Sequence, residues 1–146
     1  MPVVARTLTV EASIASVWQF VSDFTTTEEW DPPTVSTART SGDGGLGSTY
    51  RNVMKFHGSR TEVDYVMTER DPEHVAAWRG TARGLVVLTR ISLSALPGGL
   101  VEVRYESRLT PVDEEVTPLD LDEVEALVDL AAESLLDSLE HLPVDH

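Results

Sequence analysis

The sequence contains no cysteine. This absence excludes disulfide bonds, thiolate nucleophiles and cysteine metal sites, and it is compatible with a reducing compartment. Apolar runs of the roughly 18–20 residues that span a bilayer are also missing. The N-terminus lacks the basic-then-apolar layout of a secretory signal. We therefore expect a cytoplasmic protein with no membrane insertion.

Positive charge is scarce as well. The chain has 11 Lys and Arg against 25 Asp and Glu, a formal net charge of −14, and from Val112 onward it has no Lys or Arg. Nucleic acids and anionic membrane surfaces are bound through clustered basic residues, often with interleaved aromatics. We therefore expect no nucleic-acid partner. The acidic excess is interpreted as a solvated surface rather than a divalent-metal site.

The motifs of several common activities are missing. A serine-hydrolase GxSxG elbow is absent, and the glycine-rich residues 42–47 lack the GxxxxGK[ST] spacing of a phosphate loop. That run is instead typical of a hairpin turn. The histidines form no HExxH or comparable pair, so no metal and no cofactor are expected. They are His57, His74, His141 and His146.

The strongest pattern lies at residues 119–142. Apolar residues there recur at three- and four-residue steps and predict one face of an α-helix. This face comprises Leu121, Val124, Leu127, Val128, Ala131, Leu135, Leu139 and Leu142. Thr117 can cap this helix, and Pro118 suits its first turn. Repulsion along the opposite, acidic face costs about 0.2–0.5 kcal/mol per pair. Burial of the apolar face contributes on the order of 10–20 kcal/mol, so the helix must dock on the rest of the chain.

The chain before this helix supplies the docking surface. Residues 3–11 alternate as a strand, a helix capped by Ser13 follows, and a second short helix within residues 23–30 ends at Asp31-Pro32-Pro33. Turn signals every ten to fifteen residues then predict an antiparallel meander with strands at 35–40, 48–57, 60–69, 74–82, 85–95 and 100–110. The fold class is therefore α+β in one domain, residues 1–146. A curved sheet of about seven strands wraps around the long C-terminal helix, with two short helices after the first strand.

This layout resembles the helix-grip fold of the pollen-allergen-like, START-related and polyketide cyclase/dehydrase-like proteins, grouped as SRPBCC. The resemblance is carried by Val17-Trp18, by Asp23, by Trp30-Asp31-Pro32 and by the glycine turn ending in Gly47. It implies a cavity that binds hydrophobic or amphipathic small molecules, in which some members cyclise or dehydrate polyketides. The family shares no invariant catalytic motif, so the resemblance assigns no catalytic residue.

Strand alternation predicts which side chains line such a cavity. A shift of one residue would invert each assignment. The predicted ligand-binding residues are Trp30, Tyr50, Asn52, Tyr65, Trp78, Thr89, Tyr105 and Ser107. Buried polar groups among them need partners, either one another, bound water or a ligand. Alternation places no histidine or carboxylate inward, and only His57, near a strand end, or Arg90, after a register shift, could supply one of the missing catalytic groups.

Three hypotheses follow. The first is binding of a small hydrophobic or aromatic molecule, lipid-like or polyketide-like, between the sheet and the C-terminal helix. The second is a polyketide cyclase/dehydrase-type enzyme that uses cavity tyrosines. The third is a non-catalytic adaptor that engages another protein through the acidic helix face or a sheet edge. A filled cavity favours the adaptor, an open cavity without a base favours a carrier, and an inward histidine or carboxylate favours the enzyme.

Overall fold

The fold is an antiparallel sheet closed by three helices. A computed structural model describes residues 3–56, 58–82, 85–111 and 121–142. The elements in chain order are β1 (Val3–Glu11), α1 (Ile14–Val21), a 3₁₀ turn (Phe24–Thr26), α2 (Thr27–Trp30), β2 (Thr34–Ser41), β3 (Thr49–Phe56), β4 (Ser59–Asp71), β5 (Val75–Ala82), β6 (Leu85–Leu96), β7 (Leu100–Pro111) and α3 (Leu121–Glu140). The curved seven-stranded sheet has the order β1-β7-β6-β5-β4-β3-β2, so the predicted helix-grip fold is confirmed.

The short helices after β1 follow local capping signals. The Ser13 hydroxyl accepts a hydrogen bond from the Ser16 amide at 3.1 Å, which begins α1 as predicted. The Asp23 carboxylate accepts one from the Thr25 amide at 3.0 Å and begins the 3₁₀ turn. The predicted second helix is therefore a 3₁₀ turn followed by α2. Proline at the next two positions after Asp31 prevents α2 from continuing.

The long helix α3 docks through the predicted apolar face. Its buried residues are Val124, Val128, Ala131, Leu135 and Leu139. It packs against β1 and against α2. The helix ends at Glu140, two residues before the predicted end, and the predicted cap Thr117 with Pro118 lies outside the described residues. No helix in the described part of the chain is long and apolar enough to cross a membrane.

The glycine-rich run forms the turn between β2 and β3, as predicted. Gly42 has a φ of 87°, and a Cβ there would lie 2.3 Å from the Ser48 hydroxyl oxygen. That hydroxyl accepts a hydrogen bond from the Gly44 amide at 2.9 Å. A side chain at position 42 would therefore be strained and would collide with the group that closes the turn.

Candidate functional site

A cavity of about 290 Å³ lies between the sheet, α2 and the first half of α3. This volume is near the lower end of the range for small-molecule sites. Its lining is mainly apolar, with a small number of polar groups. The lining residues are Phe24, Thr27, Trp30, Asp31, Pro33, Asn52, Met54, Thr61, Val63, Tyr65, Ala82, Leu85, Val87, Thr89, Tyr105, Ser107, Leu109, Val124, Leu127 and Val128.

Most of the predicted ligand-binding residues meet at this cavity. Those that line it are Trp30, Asn52, Tyr65, Thr89, Tyr105 and Ser107, and all are buried. They come from α2 and from four strands, β3, β4, β6 and β7. Strand alternation therefore chose the inward face correctly on each of these strands. Their role toward a ligand stays a prediction.

Tyr50 and Trp78 lie elsewhere. Both are buried, and neither lines the cavity. Each packs on the ring of Phe24, with ring centroids 5.5 Å and 4.8 Å from it. Phe24 itself is on the cavity wall. Alternation gives the face to which a side chain points, and it cannot give the neighbour that covers it. The 3₁₀ turn supplies that neighbour here.

Asp31 lines the cavity, and the expectation that no carboxylate faces it is wrong. The Thr34 hydroxyl donates to Asp31 Oδ2 at 2.6 Å, and the Thr34 amide donates to the Asp31 carbonyl at 3.0 Å. The residue as a whole is partly exposed, but its carboxyl group is surrounded by protein. This burial raises the pKa of Asp31 from 3.8 to about 6, against a smaller lowering by the Thr34 hydrogen bond.

In the sequence, Asp31 indicates the end of a helix and belongs to the Trp30-Asp31-Pro32 segment of the family resemblance, and neither observation places its side chain in the cavity. Asp31 is the C-cap residue that follows α2, so neither strand alternation nor helical spacing assigns a direction to its side chain. Its amide donates to the Thr27 carbonyl at 2.9 Å, which fixes the turn that directs the side chain inward. The available clue was a carboxylate directly after Trp30, a predicted ligand-binding residue.

A chain of polar side chains connects Asp31 to the sheet. Asn52 Nδ2 donates to the Thr34 hydroxyl at 3.0 Å and to the Thr37 hydroxyl at 2.8 Å. The Thr37 and Thr27 hydroxyls are 2.7 Å apart. Within the described residues Asn52 Oδ1 has no hydrogen-bond partner. The polar groups therefore satisfy one another only in part, which leaves an acceptor unused.

Two tyrosines, Tyr65 and Tyr105, line the cavity together with Asp31. Burial raises the pKa of Tyr65 and that of Tyr105, and the negative charge of Asp31 raises both further. Both phenols are therefore protonated at neutral pH and can donate hydrogen bonds. Neither makes a hydrogen bond to a residue that the structure describes. Trp30 packs edge-on against Tyr105 at 5.6 Å, and its indole N–H donates to Thr26 at 3.1 Å.

The sequence offers two further candidates for a catalytic group, His57 near a strand end and Arg90 after a register shift. Arg90 is exposed and pairs with Glu69 at 3.2 Å, so it points away from the cavity. His57 lies outside the described residues. The described residues also contain no group of three or more His, Asp or Glu that could hold a metal ion. Chemically, the site offers one carboxyl group that titrates near neutral pH and several neutral hydroxyls in an apolar chamber.

A family model described as "Polyketide cyclase / dehydrase and lipid transport" matches residues 1–142. The chain belongs to this family. Since the match covers nearly the whole sequence, the cavity, α2 and α3 all fall within it. No curated protein matches the sequence of this family member.

Several solved structures share the fold of this family member. The Zhui aromatase/cyclase from Streptomyces sp. R1128 is 19% identical, with a TM-score of 0.73 over 95% of this chain and 91% of that chain. A START superfamily protein from Mycobacterium smegmatis is 18% identical, with a TM-score of 0.74 over 94% of each chain. Ara h 8.0201 is 17% identical, with a TM-score of 0.69 over 95% of each chain. These identities establish the fold alone.

Proposed function

We propose that this family member binds a small hydrophobic or aromatic molecule in the cavity between the sheet and α3. The observation that carries the proposal is the open cavity of about 290 Å³ with a mainly apolar lining and few polar groups. Apolar walls supply the free energy of binding, and sparse polar groups fix the orientation of the ligand. The family description, which includes lipid transport, supports the same interpretation.

A cytoplasmic location stays a prediction from composition.

Native mass spectrometry of gently purified protein, followed by organic extraction, tests whether a ligand is bound. A direct assay is titration with N-phenyl-1-naphthylamine, an uncharged dye that fluoresces in apolar sites. Val87→Phe fills part of the cavity and should weaken dye binding by about tenfold or more. Leu130→Phe is the matched control, because Leu130 is 51% exposed on α3. Equal dye binding by both variants would place the dye outside the cavity.

A second candidate, acid–base catalysis of the cyclase/dehydrase type, is favoured by Asp31. A carboxylate with a pKa near 6 can take a proton from the carbon next to a ketone, while a tyrosine hydroxyl donates to the ketone oxygen. The enolate can then attack a second carbonyl of the same molecule, and protonated Asp31 returns its proton to the alkoxide that this attack forms. In the dehydration, Asp31 takes a second proton from the same α-carbon and delivers it to the departing hydroxyl, which leaves as water. The structural similarity to the Zhui aromatase/cyclase supports this class of reaction.

Hydrogen–deuterium exchange at the α-carbon of 2-tetralone, followed by NMR, isolates the proton-transfer step. The wild-type protein should accelerate exchange, and the rate should rise with pH through about 6, as Asp31 ionises. Asp31→Asn should abolish the acceleration, whereas Glu29→Gln, on the exposed side of α2, should retain it. If Asp31→Asn exchanges as fast as the wild type, the carrier hypothesis stands without the enzyme.

The adaptor hypothesis was tied to a filled cavity. The open cavity therefore gives it no support.

A further inference from the structure

The charge of the cavity wall restricts the ligand. Asp31 is the one acidic side chain among the described lining residues, and no Lys, Arg or His accompanies it there. An anionic head group in this cavity would lose its hydration and lie near the negative charge of Asp31. The described wall has no cationic side chain to offset either cost. Both effects oppose binding strongly in an interior of low dielectric constant.

The strand register separates a polar end of the cavity from an apolar one. Thr89 on β6 pairs with Ser107 on β7, and both are polar lining residues. The next inward pair toward the start of β6 is Val87 with Leu109, both apolar. Tyr105 lies on the other side of Ser107 along β7. A ligand with a polar group at one end and a hydrocarbon or ring system at the other matches this arrangement.

Asp31 has one oxygen available for that polar group. Its Oδ2 accepts from the Thr34 hydroxyl at 2.6 Å, and Oδ1 makes no hydrogen bond to any residue that the structure describes. Asp31 also lies near enough to Tyr65 and Tyr105 for its charge to raise the pKa of each phenol. A ligand hydroxyl could therefore donate to Asp31 Oδ1 and accept from a tyrosine. A ligand carboxylate could not donate to Asp31.

We propose that the cavity selects an uncharged ligand bearing a hydroxyl or phenol group, and that Asp31 is the specificity-determining residue that rejects carboxylate-bearing analogues. This inference rests on the proposed function, because it assigns the chemical class of ligand for the same cavity. It excludes free fatty acids and aromatic carboxylates near neutral pH, and it admits alcohols and phenols of similar shape.

The rejection should depend on pH, because Asp31 is neutral below its raised pKa of about 6. Other titratable groups lie on the elements packed around it. They include Asp23 before the 3₁₀ turn, Glu28 and Glu29 on α2, Arg39 on β2, Tyr65 on β4, Tyr105 on β7, and Asp122, Glu123 and Glu125 on α3. Of these, only Tyr65 and Tyr105 line the cavity with Asp31, and both stay protonated over the range in question.

The test compares three probes that share one ring system and differ in charge: 2-naphthol, 2-naphthoate and 2-naphthylmethylammonium. Their affinities are measured by calorimetry at about pH 7.5 and about pH 5. Both charged probes keep most of their charge over this range, and among the described lining residues Asp31 is the one whose charge changes. The wild-type protein should bind 2-naphthol at least about tenfold more tightly than 2-naphthoate at the higher pH. At the lower pH this preference should shrink severalfold.

Asp31→Asn should reduce the preference at the higher pH, because the amide has the shape of the carboxylate without its charge. Glu29→Gln removes one charge from the same helix outside the cavity and should leave the preference unchanged. The pH comparison in the wild-type protein keeps the proposal testable if Asp31→Asn does not fold.

Two results would overturn the inference and leave the proposed function intact. One is 2-naphthoate binding as tightly as 2-naphthol near neutral pH. The other is 2-naphthylmethylammonium binding more tightly than 2-naphthol, which would identify a cation site. Failure of all three probes to bind, together with a protein free of any extracted ligand, would overturn the proposed function itself.

Discussion

Gly80 on β5 lies directly against the ring of Tyr65 on β4. The two residues are cross-strand partners, and a Cβ at position 80 would lie 2.6 Å from Tyr65 Cε1. Tyr65 can lie over this position only because Gly80 has no side chain. The absence of a side chain at position 80 therefore fixes the position of the Tyr65 ring, which forms part of the cavity wall.

Gly80→Ala should displace the Tyr65 ring and destabilise the protein by about 1–3 kcal/mol, the usual cost of overpacking. Binding of N-phenyl-1-naphthylamine should weaken at the same time, because the ring is part of the cavity wall. Urea unfolding and dye titration provide the two measurements. Combining Gly80→Ala with Tyr65→Ala is the control. If the clash is the cause, the alanine at position 80 should cost much less in that background.

The raised pKa of Asp31 predicts a pH dependence of stability. The folded protein holds the proton more tightly than the unfolded chain, so the contribution of Asp31 to stability is complete below about pH 4 and is lost as pH rises through about 6. Asp31→Asn keeps an acceptor for the Thr34 hydroxyl and cannot ionise. At about pH 7.5 it should therefore be more stable than the wild type by about 1–3 kcal/mol, with little difference at about pH 3.5.

Urea unfolding of both proteins at a series of pH values measures this difference, and titrations common to both cancel. Chemical-shift titration of the Asp31 carboxyl group gives its pKa directly. A value near 4 in the folded protein would contradict the burial argument, as would a stability difference independent of pH.

Thr37 joins α2 to the sheet, since its hydroxyl is bonded to Asn52 at 2.8 Å and lies 2.7 Å from the Thr27 hydroxyl. Thr37→Val should cost about 1–3 kcal/mol, because it leaves a buried amide donor of Asn52 without its acceptor. The matched control is Thr40→Val on the same strand, where the exposed hydroxyl is bonded to Thr49 at 2.7 Å. That control should change stability by less than about 0.5 kcal/mol. Equal effects of the two variants would show that the buried network contributes no more than an exposed hydroxyl pair.

Salt should stabilise the protein, because the net charge of −14 includes a row of acidic residues along α3. Screening weakens their mutual repulsion. It also weakens the exposed Arg6–Asp129 ion pair between β1 and α3, but such a pair contributes only about 0–1 kcal/mol. The melting temperature should therefore rise between about 20 and about 300 mM NaCl.

The variant Glu133→Gln/Glu140→Gln, which removes two exposed charges from α3, tests the origin of the salt effect. Its melting temperature should depend less on salt than that of the wild type. A flat or falling melting temperature in the wild type would mean that attractive contacts already compensate the acidic row.

Sequence periodicity was sufficient for the architecture. The period of 3.6 along α3 and the alternation along β7 are local consequences of backbone geometry, so they identified the buried faces without knowledge of their partners. Val128 and Tyr105, for example, are buried as their spacing predicts. The turn signals predict the order of β2 to β7, because short connections join neighbouring strands.

Tertiary structure decided which side chains form the cavity wall. Phe24 packs on Tyr50 and Trp78. Asp31, at the end of α2, lines the cavity together with Tyr65 and Tyr105 from distant strands. Residues in a 3₁₀ turn or at a helix cap follow no repeating spacing, so the sequence does not indicate the direction of their side chains. Their direction, and the environment that raises the pKa of Asp31, depend on segments far apart in the chain. Those segments meet only when the sheet closes around α3.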